Sequence, residues 1–364
     1  MDLLEIGKMI IRKINTLGYK AYIVGGTVRD YLLNLEINDC DLTTNMPLSK
    51  LEEYFWIKDN GSSYESVTIL YMGYSFEITH FRRDIEYLDH RHPKVELVDS
   101  YKEDSLRRDF TINALAMDEN GEILDFYDGI KDLKDKVIKT IGDPFLRFTE
   151  DALRILRGLY FSSKLDFEIE SNTLFAMVDK KELLASLSEE RLYQYFIKIL
   201  YANTERGIRY INELNLFQYI PKFKRWINLV DKSMKEENLI YYYYLTKHEF
   251  PITVSKDSYK IAESLDKILK SDDSYTLYKN KNVYLKFRDI LKHFGCDIIG
   301  RDKLLDSLVI KSDKDLALSK EEIASYFEGS MKALKIEEVI KAILCGDIKN
   351  DRKEIQKFIL KQGC

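Results

Sequence analysis

The sequence predicts an α+β protein: a head built on a mixed or antiparallel sheet flanked by helices, followed by an all-helical neck, body and tail. Three observations predict this. Strand-like and helical segments alternate over roughly the first 130 residues. After Asp143-Pro144 helical periodicity takes over, and only two of the five prolines, Pro221 and Pro251, lie beyond that point. With 364 residues and 45% hydrophobic content the chain is too long for one ordinary core, so several domains are expected. Their expected bounds are 1–143 for the head, 144–200 for the neck, 201–275 for the body and 276–364 for the tail.

The opening segment reads as an amphipathic helix with Asp2 as N-cap, Leu3, Ile6, Ile10, Ile14 and Leu17 on one face, and Gly18 as the stop. Ala21 to Val24 reads as a short buried strand ending at Gly25-Gly26, and Thr27 to Leu35 as a helix. Asp39 to Thr43 follows as a strand, then Val67 to Met72 and Phe76 to Phe81 as a hairpin around Gly73. Beyond residue 143 the candidate junctions are the polar stretches Lys270 to Asn282 and Lys311 to Ser319. The run Tyr241 to Tyr244 points all round a helix, which favours core packing over a stacking platform for bases.

Composition narrows the function classes. A net charge of −5 argues against a protein that coats nucleic acid non-specifically, and leaves room for a local basic stripe. Cys40, Cys296, Cys345 and Cys364 form no CxxC pair, so neither a zinc site nor a disulfide framework is expected. No stretch approaches the ~20 apolar residues of a membrane span, and the acidic, periodic start MDLLEIGKMIIRKIN is unlike a signal peptide. The expected location is cytoplasmic, with no membrane partner.

The chemistry concentrates in YIVGGTVRDYLLNLEINDCDLTT. A strand ending in two glycines before a helix suits close approach of a polyphosphate to backbone N–H groups; a plain tight turn is the alternative. On a strand, Asp39 and Asp41 project to one face as two adjacent carboxylates, while Cys40 and Leu42 point into the core. Such a pair stays ionised most readily around a hard cation such as Mg²⁺, the alternative being a solvated acidic turn. In FEITHFR, Glu77, Thr79 and Phe81 share one face, and Glu77 could reach the same metal ions. Three carboxylates beside a phosphate loop suit two-metal phosphoryl transfer.

The pattern GGTVRDYLL followed by DCD resembles the catalytic core of the class II tRNA nucleotidyltransferases, the CCA-adding enzymes of the polymerase-β-type superfamily. DSLRRDFTINALA is similar to that family's second motif, GDPFLRFTEDALRILR to its nucleotide-recognition motif and SEERL to a shortened form of the next. Asp84, Tyr87, Asp89, Arg91 and Pro93 resemble its flexible loop. The resemblance covers roughly residues 20 to 200. It implies a nucleotidyltransferase head whose Asp39 and Asp41 bind metal, with Glu77 assisting as the third catalytic carboxylate. It also implies that the Gly25-Gly26 turn and Arg29 contact the triphosphate. Arg108 would contact the incoming nucleotide with Arg107 beside it, and Asp109 and Asn113 would hold the sugar and the local fold.

Asp151 and Arg154, three apart, are expected on one helix face, offering an acceptor beside a fork of donors. Cytosine and adenine each present an amino donor next to a ring acceptor, so one Asp–Arg pair can serve both. Uracil and guanine would set a carbonyl against Asp151, at a penalty of roughly 1–3 kcal/mol. A simple intrahelical ion pair is the alternative. By the resemblance Glu150 orients Arg154, and Arg157 lies near the same nucleotide. The sequence departs from the family at Tyr160, where an arginine is usual, and at Tyr195-Phe196, where Glu-Leu is usual.

The implied activity is addition of CMP and AMP from CTP and ATP to the 3′ end of tRNA, with the helical regions gripping the acceptor arm. Bacterial poly(A) polymerase shares these motifs but carries a basic GRRF-like signature where this chain reads YMGYSFEITHF. A form adding only A or only CC is a rival within the family. A catalytically silent tRNA-binding protein is disfavoured by the three intact carboxylates, and a small-molecule nucleotidyltransferase by the long helical second half.

Overall fold

The computed structural model describes residues 2–60, 66–87, 93–225, 227, 232–329 and 331–362. The chain divides into two compact units, Met1–Ile227 and Asn228–Cys364.

The first unit opens with α1 (Leu3–Thr16), whose N-cap Asp2 accepts a hydrogen bond from the Glu5 N–H at 2.8 Å. Its buried face is wider than the expected stripe, because Leu4 and Ile11 join Ile6, Ile10 and Ile14. There follow β1 (Ala21–Val24), α2 (Gly26–Leu32), β2 (Asp41–Thr44), α3 (Leu48–Leu51), β3 (Trp56–Asn60), β4 (Ser66–Tyr71), β5 (Tyr74–His80), β6 (Arg82–Tyr87) and β7 (Pro93–Leu97). After α4 (Tyr101–Leu106) come β8 (Ala116–Met117), β9 (Ile123–Leu124), α5 (Gly129–Asp135) and β10 (Val137–Ile138). Then come α6 (Pro144–Glu150), α7 (Leu153–Leu165), β11 (Glu168–Ile169), α8 (Ser171–Lys180), α9 (Glu189–Ala202) and α10 (Thr204–Glu213).

Seven strands form one sheet in the order β3-β4-β5-β2-β1-β8-β9. β2 and β5 run parallel and the other neighbours antiparallel, so the sheet is mixed. Ile23, Leu42, Ile69, Phe76 and Ile78 are fully buried in its core. Pieces not expected from the sequence include β3, whose WIKDN is mostly polar, the two-stranded β6–β7 ribbon, and the two-residue strands β8 and β9 at the far edge of the sheet. Helices do follow residue 143, apart from β11, which pairs in parallel with β10 over two residues. Asp89 and Arg91 of the expected flexible loop lie outside the described residues.

The second unit holds helices from α11 (Leu239–Lys247) to α19 (Arg352–Gln362) around its own core, which includes Leu265, Ile268, Tyr284, Ile290, Ile310, Ile323 and Ile343. The tyrosine run lies on α11 and packs: Tyr243 is fully buried, Tyr241 meets the Phe287 ring at 4.9 Å, and Tyr244 meets Phe250 at 4.8 Å. The stretch Lys270 to Asn282, read as a junction, carries a helix at Ser274–Lys279. Cys40, Cys296 and Cys345 are free thiols. Among the described residues, no helix is long and apolar enough to cross a membrane.

Candidate active site

β1 ends at Val24, and Gly25 turns the chain with φ 69° and ψ −128°, a conformation open to glycine. A Cβ there would stand 3.1 Å from Nη1 of Arg108, so the glycine also lets that guanidinium approach the turn. Thr27, in the first turn of α2, bridges to the acidic segment. Its Oγ1 accepts from the Asp41 N–H at 3.2 Å and donates to the Asp39 carbonyl at 3.3 Å. The strand begins only at Asp41, so Asp39 lies in the extended segment before it and not within it as expected. The alternation nevertheless holds: Asp39 and Asp41 are exposed, Cys40 and Leu42 buried.

Asp41 stands opposite Glu77 in the parallel register of β2 and β5, which sets the two carboxylates on neighbouring strands. Glu77 is exposed while Phe76 and Ile78 are buried. Loss of water in the cleft, then the charges of Asp39 and Glu77, push the Asp41 carboxyl up to about 6, with Arg108 pulling the other way. Burial first, and then Asp41 and Asp39, push the Cys40 thiol up to about 12. It therefore remains a protonated core residue. Among the described residues no three His, Cys, Asp or Glu side chains are arranged to hold a metal ion by themselves, so Glu77 does not complete a ready-made cage with the two aspartates.

The basic side of the cleft is a chain of charge-assisted hydrogen bonds. Arg29 is 3% exposed and bonds Oδ1 of Asp30 through Nε at 2.7 Å and Oδ1 of Asn113 through Nη1 at 2.6 Å. Nδ2 of Asn113 donates to Oδ1 of Asp109 at 3.0 Å, and Oδ2 of Asp109 accepts from Nε of Arg157 at 2.6 Å. Burial alone would raise the Asp109 pKa. Arg157, Asn113 and the Phe110 N–H outweigh it and hold the carboxyl below its usual value. Asp109 also raises the Arg157 pKa, as does a hydrogen bond with Tyr195, the residue standing where the family has Glu. Phe196 is buried against Phe217 and Phe223, and Tyr160 packs on Phe161 at 5.3 Å.

Asp104, absent from the sequence reading, is fully buried and anchors both arginines of the LRRD turn. It takes Arg107 at 2.9 Å and Arg108 at 3.2 Å, and accepts from the Arg82 N–H at 3.2 Å. Spacing could have found it, since acid at i with base at i+3 and i+4 is a helix-surface pair.

The Asp151–Arg154 geometry differs from expectation. α6 ends at Glu150, and Asp151 sits in an extended break with φ −145° and ψ 103°, so the two residues do not share one helix face. Asp151 accepts from the Leu153 N–H at 2.9 Å, and that competition from a capping carboxylate suits a break better than a continuous helix. Arg154 is 5% exposed and begins its contacts with Oε2 of Glu150 at 2.9 Å.

One cleft of about 650 Å³ is lined by Gly25, Gly26, Arg29, Asp39, Asp41, Glu77, Arg107, Arg108, Asp109, Asn113, Asp151, Arg154 and Arg157. Glu150 stands behind it. Asp84, expected in the flexible loop, lines the cleft together with its near neighbour Arg82; Asp30, Phe161 and Lys164 also line it and were not singled out from the sequence. Arrangements of this kind bind a polyanion and present carboxylate oxygens beside it.

Residues 21–139 match the family described as "Poly A polymerase head domain", and residues 166–227 that described as "Probable RNA and SrmB- binding site of polymerase A". The CCA-adding enzyme of Ligilactobacillus salivarius is 33% identical over 94% of this chain and 93% of its own length. That of Bacillus licheniformis is 30% identical over 96% of each. The CCA-adding enzyme of Enterococcus faecalis is 44% identical over 59% of this chain, an alignment spanning 54% of that relative. Among solved structures, the Bacillus stearothermophilus CCA-adding enzyme in complex with CTP superposes with a TM-score of 0.70 at 26% identity, covering 100% of this chain and 98% of that one. The Thermotoga maritima CCA-adding enzyme complexed with tRNA has the same fold, with a TM-score of 0.55 at 21% identity over 100% and 97% of the two chains. With near full-length relatives and a cleft that gathers the expected carboxylates and arginines, the chain belongs to the CCA-adding enzymes, the tRNA nucleotidyltransferases with a poly(A) polymerase-type head.

Proposed function

We propose that this site adds CMP and then AMP, drawn from CTP and ATP, to the 3′ end of tRNA, releasing pyrophosphate and using the protein itself as template. The observation that supports this reading is a single cleft lined both by Asp39, Asp41 and Glu77 and by Asp151 and Arg154. Asp39 and Asp41 would hold Mg²⁺. The donors are all oxygen, and Asp41 resists ionising beside Asp39 and Glu77, a repulsion that a bound cation relieves. A three-ligand protein cage is unnecessary, because Mg²⁺ commonly takes one or two carboxylates and completes its shell with phosphates and water. When bound, such an ion activates the attacking 3′-hydroxyl and neutralises charge on the leaving phosphates.

The chain's own residues do the remaining work. Arg107 and Arg108, braced on Asp104, present guanidinium donors to the triphosphate, and the Gly25-Gly26 turn admits it closely with Arg29 behind. Asp109 and Asn113 fix Arg157 and Arg29 around the sugar. Asp151 accepts from the base amino group and Arg154, oriented by Glu150, donates to the ring acceptor. The acceptor arm and 3′ end are the part of the tRNA that enters the cleft, and residues 276–364 form the tail that grips it. An enzyme acting on such a tRNA would work in the cytoplasm.

Incubation with Mg²⁺, each labelled nucleotide and tRNAs ending at successive 3′ positions tests the proposal. CMP should extend tRNA lacking CCA, AMP should extend tRNA ending in CC, and UMP and GMP should be refused. Incorporation of AMP alone, of CMP alone, or of a long A homopolymer would each replace full CCA addition with a narrower or different activity, and no incorporation at all would overturn the reading. In the same assay Asp151→Ala should lower discrimination against UTP and GTP by roughly tenfold to a hundredfold, matching about 1–3 kcal/mol. An equal loss for all four nucleotides would make the residue structural.

A further inference from the structure

The last carbonyls of a helix have no partner inside it. At the end of α4, those of three successive residues are taken by two arginines from α6 and α7. Nη2 of Arg147 donates to the Leu106 carbonyl at 3.1 Å and to the Arg108 carbonyl at 2.9 Å, and Nη2 of Arg154 donates to the Arg107 carbonyl at 3.0 Å. Both arginines pair with Oε2 of Glu150, and Nη1 of Arg154 also donates to the Arg147 carbonyl at 3.0 Å. The turn that carries Arg107 and Arg108 is thus bonded as one body to the α6–α7 break that carries Asp151. Two cations at a helix C-terminus also answer its dipole. Arg147 is buried, and it is not among the residues lining the cleft.

We infer that Arg147 is a positioning residue that sets the phosphate-facing arginines in register with the base-facing pair, acting through Glu150 and the carbonyls of residues 106 and 108. This rests on the function proposed above. A purely structural ion pair would hold the fold equally well and leave nucleotide choice alone. Lysine distinguishes the two, because Arg147→Lys keeps the charge facing Glu150 but lacks the planar fork that reaches a carboxylate and two carbonyls together. Arg147→Met removes all of these contacts.

Steady-state CTP and UTP incorporation, CTP affinity by calorimetry and Tm are to be measured on the full chain. Arg147→Lys should raise KM for CTP and ATP about tenfold with kcat within about threefold, and reduce the CTP-over-UTP preference about tenfold. Its Tm should stay within a few degrees of the parent. Glu150→Gln should shift the preference in the same direction, and the double variant should be no worse than the more impaired single one, since both act on one network. Unchanged KM and preference in both Arg147 variants, with Tm lowered, would overturn the inference. If Arg147→Met does not fold, Arg147→Lys carries the test. If the parent itself adds no nucleotide, the proposed function falls, and an unchanged CTP affinity in Arg147→Lys would then overturn this inference separately.

Discussion

Asp41 carries a carboxyl that stability and chemistry pull in opposite directions. Its folded-state pKa of about 6 stands above the usual 3.8 because the cleft walls take away part of its hydration and set Asp39 and Glu77 beside it. A carboxyl raised in this way favours the folded state fully below pH 3.8, and that contribution is lost as pH rises through about 6. At neutral pH the ion-free protein therefore carries an unrelieved repulsion. Asp41→Asn should be the more stable protein above pH 6, with the difference closing as the pH falls towards 4. The side chain is open to solvent, so screening limits the gain to about 1 kcal/mol, or about 2–4 °C in Tm for a unit of this size. Thermal melts in a chelator from pH 4 to 8 check this. Equal melting temperatures across that range would show that the three carboxylates do not repel one another in the folded protein. Nucleotide addition should be abolished in the same variant.

At the scale of elements, what was legible was what repeats locally. Alternation along DCDLT and FEITH placed Asp41 and Glu77 on the cleft side of their strands, because side-chain direction in a strand depends on parity alone. The Gly25 turn was legible for the same reason, since one residue's φ decides it. The α6–α7 break was not. EDALRILR satisfies helical periodicity throughout, whereas Asp151 takes an extended conformation and accepts from the Leu153 N–H, which the periodicity does not show. Thr27 and Arg147 were missed because the backbone groups they bridge lie 12 to 41 residues away in the chain, the nearby Glu150 partner of Arg147 aside. Thr27 ties α2 to the segment leading into β2, so Thr27→Val should leave the Asp41 N–H and the Asp39 carbonyl without their bridge. The expected cost is about 1–2 kcal/mol of stability together with a higher Mg²⁺ concentration for half-maximal activity, and Thr27→Ser should restore both. A normal Mg²⁺ requirement in the valine variant would mean that Asp39 and Asp41 are held in place by the sheet alone.

Across the whole molecule, charge is divided unevenly. Residues 228–364 carry 25 Lys and Arg against 23 Asp and Glu, a net +2 that offsets the −7 of the first 227 residues, with 31 against 38. That part nevertheless holds every residue lining the cleft, all of them between Val24 and Lys164. Its acidity therefore coexists with a local cluster of arginines, which is how a protein of sequence pI about 5.8 can present a site for a triphosphate. The division separates two kinds of affinity. A fragment of residues 1–227 has its own sheet core and should bind CTP with the affinity of the full chain to within about threefold, since none of the lining is lost. Its affinity for tRNA should fall, and the slope of log K against log salt should become shallower by about 0.9 for each phosphate contact removed. Calorimetry with CTP and tRNA binding measured between 50 and 200 mM salt separate the outcomes. An unchanged salt slope would place the whole RNA grip within the first 227 residues, and a lost CTP affinity would show that the cleft needs the second unit to hold its shape.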